Sequence, residues 1–247
     1  MRILLINPNM TESMTVTLNN VARQTAQDMA EIIPVTASIG FPYIASRAEA
    51  QIAGANVLET IATHLGDVDA VIIAAFGDPG LIAARELFDI PVVGMAEAAV
   101  MTAAMLGDHF GIVTFSPHML KWYRESVLQT GLGSRFLGVR CPTNPPKNIE
   151  NISKTLREDL IVLTNQMTSL DGAEVVILGG APLAGLAPII ANDTTGILID
   201  PISAATAQAM ALVNCAPNYR NRCARPAAKT SYGLGSALSA HIAGKFK

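Results

Sequence analysis

The sequence predicts an α/β protein of two pseudo-symmetric halves, each a doubly wound parallel sheet, with a cleft between them. Three observations carry this. Half of the 247 residues are hydrophobic and only 15% are charged, as expected for strands covered on both faces. Apolar β-rich runs alternate with helical stretches, the pattern of parallel strands joined by right-handed crossovers. The chain also repeats itself at a long period, which a single pass for local structure would miss.

The N-terminal run RILLINPNM has no small-residue cleavage site and reads as a first strand closed by Asn and Pro rather than as a leader. Residues 13–30, 49–65 and 151–170 carry apolar residues at helical spacing, with Thr, Ser or Asn placed to cap their starts. The segment DAVIIAAFGDPGL at 69–81 matches AEVVILGGAPLAGL at 173–186: an apolar run, two small residues, a turn with Pro, then Leu. Ala75 and Gly180, which align, are 105 positions apart. RILLINPNM pairs with FGIVTFSPHM at an offset of 107, and PVVGMAEAAV with GILIDPISAA at 105. Three matches in one order at nearly one offset imply two copies of a βα unit across a pseudo-twofold axis. The helical stretch 204–213 is expected to return to the first copy, so the first half is expected to be residues 1–98 plus 204–247 and the second 99–203.

A net charge of −3 and the lack of any long Lys/Arg cluster argue against a nucleic-acid partner. No apolar run reaches the roughly 18 residues of a spanning helix, so no membrane partner and a cytoplasmic location are expected. Cys141, Cys215 and Cys223 lack metal-ligand or CxxC spacing and read as ordinary thiols, with no metal site. No GxGxxG or GxxxxGK[ST] pattern is present, so no nucleotide cofactor is expected.

In open parallel sheets the ligand sits beyond the carboxyl ends of the strands. That rule points to the turns at 7–11, 40–43, 75–80, 114–118, 179–185 and 200–203, which the two halves would gather around one small-molecule cleft. Asn7 and Asn9 can bind a carbonyl-rich ligand or close their own turn, with ligand contact favoured for Asn9. The glycines Gly77, Gly80, Gly179 and Gly180 let backbone N–H groups approach a ligand, although tight βα turns need glycine in any case. The titratable candidates near the turns are Asp78, Glu97 and His118. Asp78 is expected to cap a helix beginning at Pro79 in preference to acid/base work, Glu97 to sit at a favourable helix start, and His118 to be solvated unless it titrates in the cleft.

Taken together, INPNM, GFPYIASRAEA, IIAAFGDPGL, IPVVGMAEAA, FGIVTFSPH, ILGGAPLAGL and TSYGLGSALSA resemble the hydantoin/allantoin racemase branch of the aspartate/glutamate racemase superfamily over almost the whole chain. The resemblance implies flavodoxin-like halves, a homo-oligomer, and cofactor-independent racemisation at a carbon next to a carbonyl. It also implies two opposed cysteines, one removing the α-proton and the other returning one. At those positions this sequence has Ala75 and Gly180, and neither side chain can carry a proton. By the same resemblance the ligand would be lined by Asn9, Phe41, Pro42, Phe76, Gly77, Thr114, Ser116, Ala181 and Pro182, with core packing an equal reading for the two phenylalanines. Three readings stay open: an isomerase-like enzyme acting on a small cyclic amide or amino-acid derivative, a lyase or hydrolase using Asp78, Glu97, His118 or a held water, and a non-catalytic ligand-binding protein.

Overall fold

The structure is a computed structural model, and it describes residues 1–144, 152–220, 222 and 225–245. Strands β1 (Arg2–Asn7), β2 (Glu31–Thr36), β3 (Ala70–Ile73) and β4 (Val92–Gly94) form one parallel sheet in the order β2-β1-β3-β4. Strands β5 (Phe110–Val113), β6 (Phe136–Arg140), β7 (Val175–Leu178) and β8 (Ile197–Ile199) form a second parallel sheet in the order β6-β5-β7-β8. The two orders are the same once four is added to each strand number. The sequence repeat is therefore a structural repeat: β1 corresponds to β5, β3 to β7 and β4 to β8. Every residue of β3, β5 and β7 is buried, which is why these strands read as continuous apolar runs without alternation.

The helices are α1 (Glu12–Ala26), α2 (Arg47–His64), α3 (Leu81–Leu87), α4 (Met95–Leu106), α5 (Leu120–Gln129), α6 (Ile152–Thr155), α7 (Arg157–Ser169), α8 (Ala187–Ile190), α9 (Pro201–Asn214) and α10 (Ser236–Ile242). Several ends differ from the sequence expectation. Helix α1 stops four residues early because Gln27 turns to φ 50° while its N–H still reaches the Arg23 carbonyl. Helix α2 starts at Arg47, two residues early, because Ser46 and Glu49 form a reciprocal capping box. The stretch expected at 151–170 is divided into α6 and α7, and Asn151 lies outside the described residues. Helix α9 begins at Pro201 because Asp200 accepts hydrogen bonds from the N–H groups of Ile202 and Ser203.

Helices α4 and α9 are rich in alanine, and they pack closely on each other. Helix α9 also packs on α1, β3 and β4, while α4 reaches β7, β8 and α5. One buried cluster accordingly runs from Ile3, Leu5 and Ile72 through Ala99, Ala103, Ala205 and Ala209 to Phe110, Ile112 and Ile177. Small side chains let the two helices fill the space between the sheets, so the strand ends of both halves are held against one another. Helix α10 packs on α2. No helix among the described residues is long and apolar enough to cross a membrane.

Candidate functional site

The first of the two repeated turns follows β3. The Ala74 N–H continues the ladder to the Ile6 carbonyl at 2.8 Å, and the chain then turns through Ala75, whose carbonyl accepts from the Asp78 N–H at 3.0 Å. Gly77 takes φ +133° with its α-carbon against Trp122, and a Cβ there would lie 2.4 Å from the indole. Asp78 follows in the left-handed region at φ 49°.

Asp78 does cap a helix, but not the one expected. Its two carboxylate oxygens accept from the Ala96 and Glu97 N–H groups at 2.8 Å each, at the start of α4, whereas α3 begins only at Leu81 behind Gly80. The left-handed turn at Asp78 points the side chain across the strand ends toward α4 and away from its own helix. Gly94 makes room for it: a Cβ at 94 would lie 2.4 Å from the Asp78 carboxyl carbon. Burial pushes the Asp78 carboxyl up to about 7 against the pull of the two N–H donors, with a smaller push from the Glu97 carboxylate. Glu97 itself is held by both terminal nitrogens of Arg85, one of them at 2.9 Å.

The corresponding turn follows β7. The Gly179 N–H donates to the Val113 carbonyl at 2.8 Å and the Thr114 hydroxyl donates to the Gly179 carbonyl, also at 2.8 Å. Gly180 lies at φ +126°, in the left-handed region that favours glycine. Among the described residues, no hydrogen bond is donated by the backbone N–H of Phe76 or of Ala181, although both residues are buried. Asn7 is spent on its own turn, its amide reaching the Asn9 and Thr15 side chains and the Thr11 carbonyl. The Asn9 oxygen also takes the Thr11 N–H, leaving its amide nitrogen against the Met14 sulfur at 3.3 Å.

Between these turns lies a small cavity of about 20 Å³, lined by Asn9, Tyr43, Ile44, Ala75, Phe76, Trp122, Tyr123 and Ala181. A larger, open cavity of about 420 Å³ lies beyond Trp122, with Gly77, Asp78, Arg47 and Glu125 in its wall. Trp122 is shared by both walls, and Arg47 pairs with Glu125 at 2.8 Å across the outer mouth, tying α2 of the first sheet to α5 of the second. The inner space holds about one water.

The structure thus brings Asn9, Ala75, Phe76 and Ala181 together, and places Gly77 in the outer wall. Phe41 and Pro42 contribute carbonyls that accept from the Met10 N–H and the Thr11 hydroxyl, stitching the loop after β2 to the turn after β1. Thr114 lies behind the wall, Ser116 caps a short 3-10 turn, and Pro182 stands beside the wall residue Ala181. His118 is exposed on that 3-10 turn and lines neither cavity. Cys141 is half-buried, its thiol pushed up by burial, and Cys215 is exposed; neither lines either of these two cavities, and Cys223 lies outside the described residues. Sequence reasoning placed Tyr43 in the turn at 40–43 without singling it out, and missed Ile44, Trp122 and Tyr123. No turn or motif signal marks the pair on α5.

Two parallel sheets related by an internal repeat, with a small cavity between equivalent strand ends, define an α/β protein of two doubly wound halves. The family model for Asp/Glu/Hydantoin racemase matches residues 3–209, and the chain belongs to that family. It is 33% identical to a hydantoin racemase from Paenarthrobacter aurescens over 215 residues, covering 86% of this chain and 91% of the relative. Among solved structures it resembles an allantoin racemase from Klebsiella pneumoniae, with a TM-score of 0.88, 33% identity, and 96% of this chain and 98% of the other covered. An allantoin racemase from Pseudomonas fluorescens gives a TM-score of 0.87 at 29% identity, with 94% and 100% covered.

Proposed function

We propose that this protein is a cofactor-independent, isomerase-like enzyme acting on a small cyclic amide or amino-acid derivative in the cleft between the sheets, without a thiolate–thiol pair. The observation that carries it is that, among the described residues, no hydrogen bond is donated by the backbone N–H of Phe76 or Ala181, two buried residues, one on each repeated turn, that line the cavity. A carbonyl or carboxylate oxygen in the cavity would give these donors a partner. Such donors suit an enolate-like oxygen formed when the adjacent carbon loses a substituent. The named hydantoin and allantoin racemases among its relatives support the substrate class.

A lyase or hydrolase in the same cleft is the alternative, favoured by one observation: Asp78, whose carboxyl titrates near neutrality, lines the outer cavity. Assembly as a homo-oligomer in the cytoplasm belongs to the same proposal. The test is proton NMR of 5-substituted hydantoins and allantoin in D₂O with and without the protein. Catalysed loss of the C5–H signal supports the isomerase reading. Chemical conversion of a probe supports the lyase or hydrolase, and binding with neither supports a ligand-binding protein.

A further inference from the structure

The two repeated turns are filled in different ways. On the first, Ala75 presents a methyl group to the cavity. On the second, a Cβ at Gly180 would lie 2.6 Å from Phe115 Cε1, a distance real Cβ atoms do not tolerate, and 3.4 Å from the Tyr123 hydroxyl. Two aromatic side chains, from the segment after β5 and from α5, already occupy the space that a side chain at 180 would use.

Resting on the cleft being a ligand site, we propose that Tyr123 is the ligand-contacting residue on its Gly180 side, its hydroxyl donating a hydrogen bond to a carbonyl or carboxylate oxygen. Tyr123 is almost wholly buried, and its ring packs on Phe76 with centroids 4.5 Å apart. The hydroxyl is therefore fixed in the cavity wall. The Thr114 side chain lies near it and spends its own proton on the Gly179 carbonyl at 2.8 Å, so the phenol keeps its proton to donate to a ligand oxygen.

Burial holds the Tyr123 hydroxyl well above the usual phenol range, with the Tyr43 hydroxyl adding to the effect. It thus stays protonated in neutral solution and acts as a donor, not as a base. No comparable donor exists at Ala75. The two repeated turns are thus unlike: a methyl group at Ala75, a phenol beside Gly180. Phe115 and Gly180 form a matched pair in this arrangement: the glycine leaves the room in which the phenyl and phenol sit.

The test is isothermal titration of Tyr123→Phe beside the parent, using 5-methylhydantoin, allantoin and N-carbamoylalanine as probes. Loss of one donor to a ligand oxygen is expected to weaken the binding probe about tenfold, with the thermal midpoint nearly kept. Affinity within twofold of the parent overturns the proposal alone. If the parent binds none of the three probes, the reading of the cleft fails and this proposal with it. Gly180→Ala measures the occupancy claim separately: it is expected to lower the thermal midpoint, and Phe115→Leu in the same chain is expected to recover part of the loss. A Gly180→Ala variant as stable as the parent overturns the claim that the aromatic pair fills this space.

Discussion

Asp78 offers a quantitative test of how the first turn is held. Its carboxyl is raised from the ordinary 3.8 to about 7 in the folded protein, chiefly by burial. The folded state therefore holds a proton that the unfolded chain has released between those values, and stability falls as pH rises through that window. The sign is opposite to that of a salt-bridged aspartate. Integrating the linkage from pH 4.5 to pH 8 with these two values gives a loss of about 3 kcal/mol from this group, at 1.36 kcal/mol per pKa unit. Asp78→Asn removes the titration, keeps the shape, and suits the left-handed φ of 49°, which Asn tolerates. Denaturant unfolding of both proteins across pH 4.5–8 is the assay, because their difference cancels every other titrating group. The parent is expected to lose about 3 kcal/mol relative to the variant over that range, with unchanged m-values. A difference that is flat with pH, or that moves in the parent's favour as pH rises, would refute the reasoning: the two N–H donors of α4 would then outweigh burial.

Other outcomes follow from the same geometry. Gly77→Ala is expected to cost about 2–5 kcal/mol in denaturant unfolding, since it combines a left-handed φ with a 2.4 Å approach to Trp122, and Trp122→Ala in the same chain should recover only the steric part. Thr114→Val leaves the Gly179 carbonyl without its buried hydroxyl donor and is expected to cost about 1–3 kcal/mol in thermal or chemical unfolding. Ser46→Ala removes the capping box of α2 and should cost about 1 kcal/mol, with helical circular dichroism otherwise intact. Ala75→Cys adds one sulfur to a cavity of about 20 Å³, so its thiol is expected to react with a bulky maleimide far more slowly than Cys215, as mass spectrometry would show.

The sequence by itself determined the architecture and the identity of the two opposed turns. Strands buried on both faces must be apolar throughout, and a duplicated βα unit repeats its small-residue turns at a fixed offset, so residues 75 and 180 could be aligned without coordinates. The capping box at Ser46 and Glu49 was equally local and could have been read, because its two residues are three apart. Only the tertiary structure decided what fills and faces the cleft. Asp78 caps α4 and not α3 because a left-handed φ turns its side chain toward a helix 17 residues further along the chain, and no local pattern encodes that direction. Tyr43, Trp122 and Tyr123 look in the sequence like ordinary members of a loop and a helix. They enter the site because packing of α4 and α9 between the sheets sets how closely the two halves meet, and that distance is a property of many small contacts acting together.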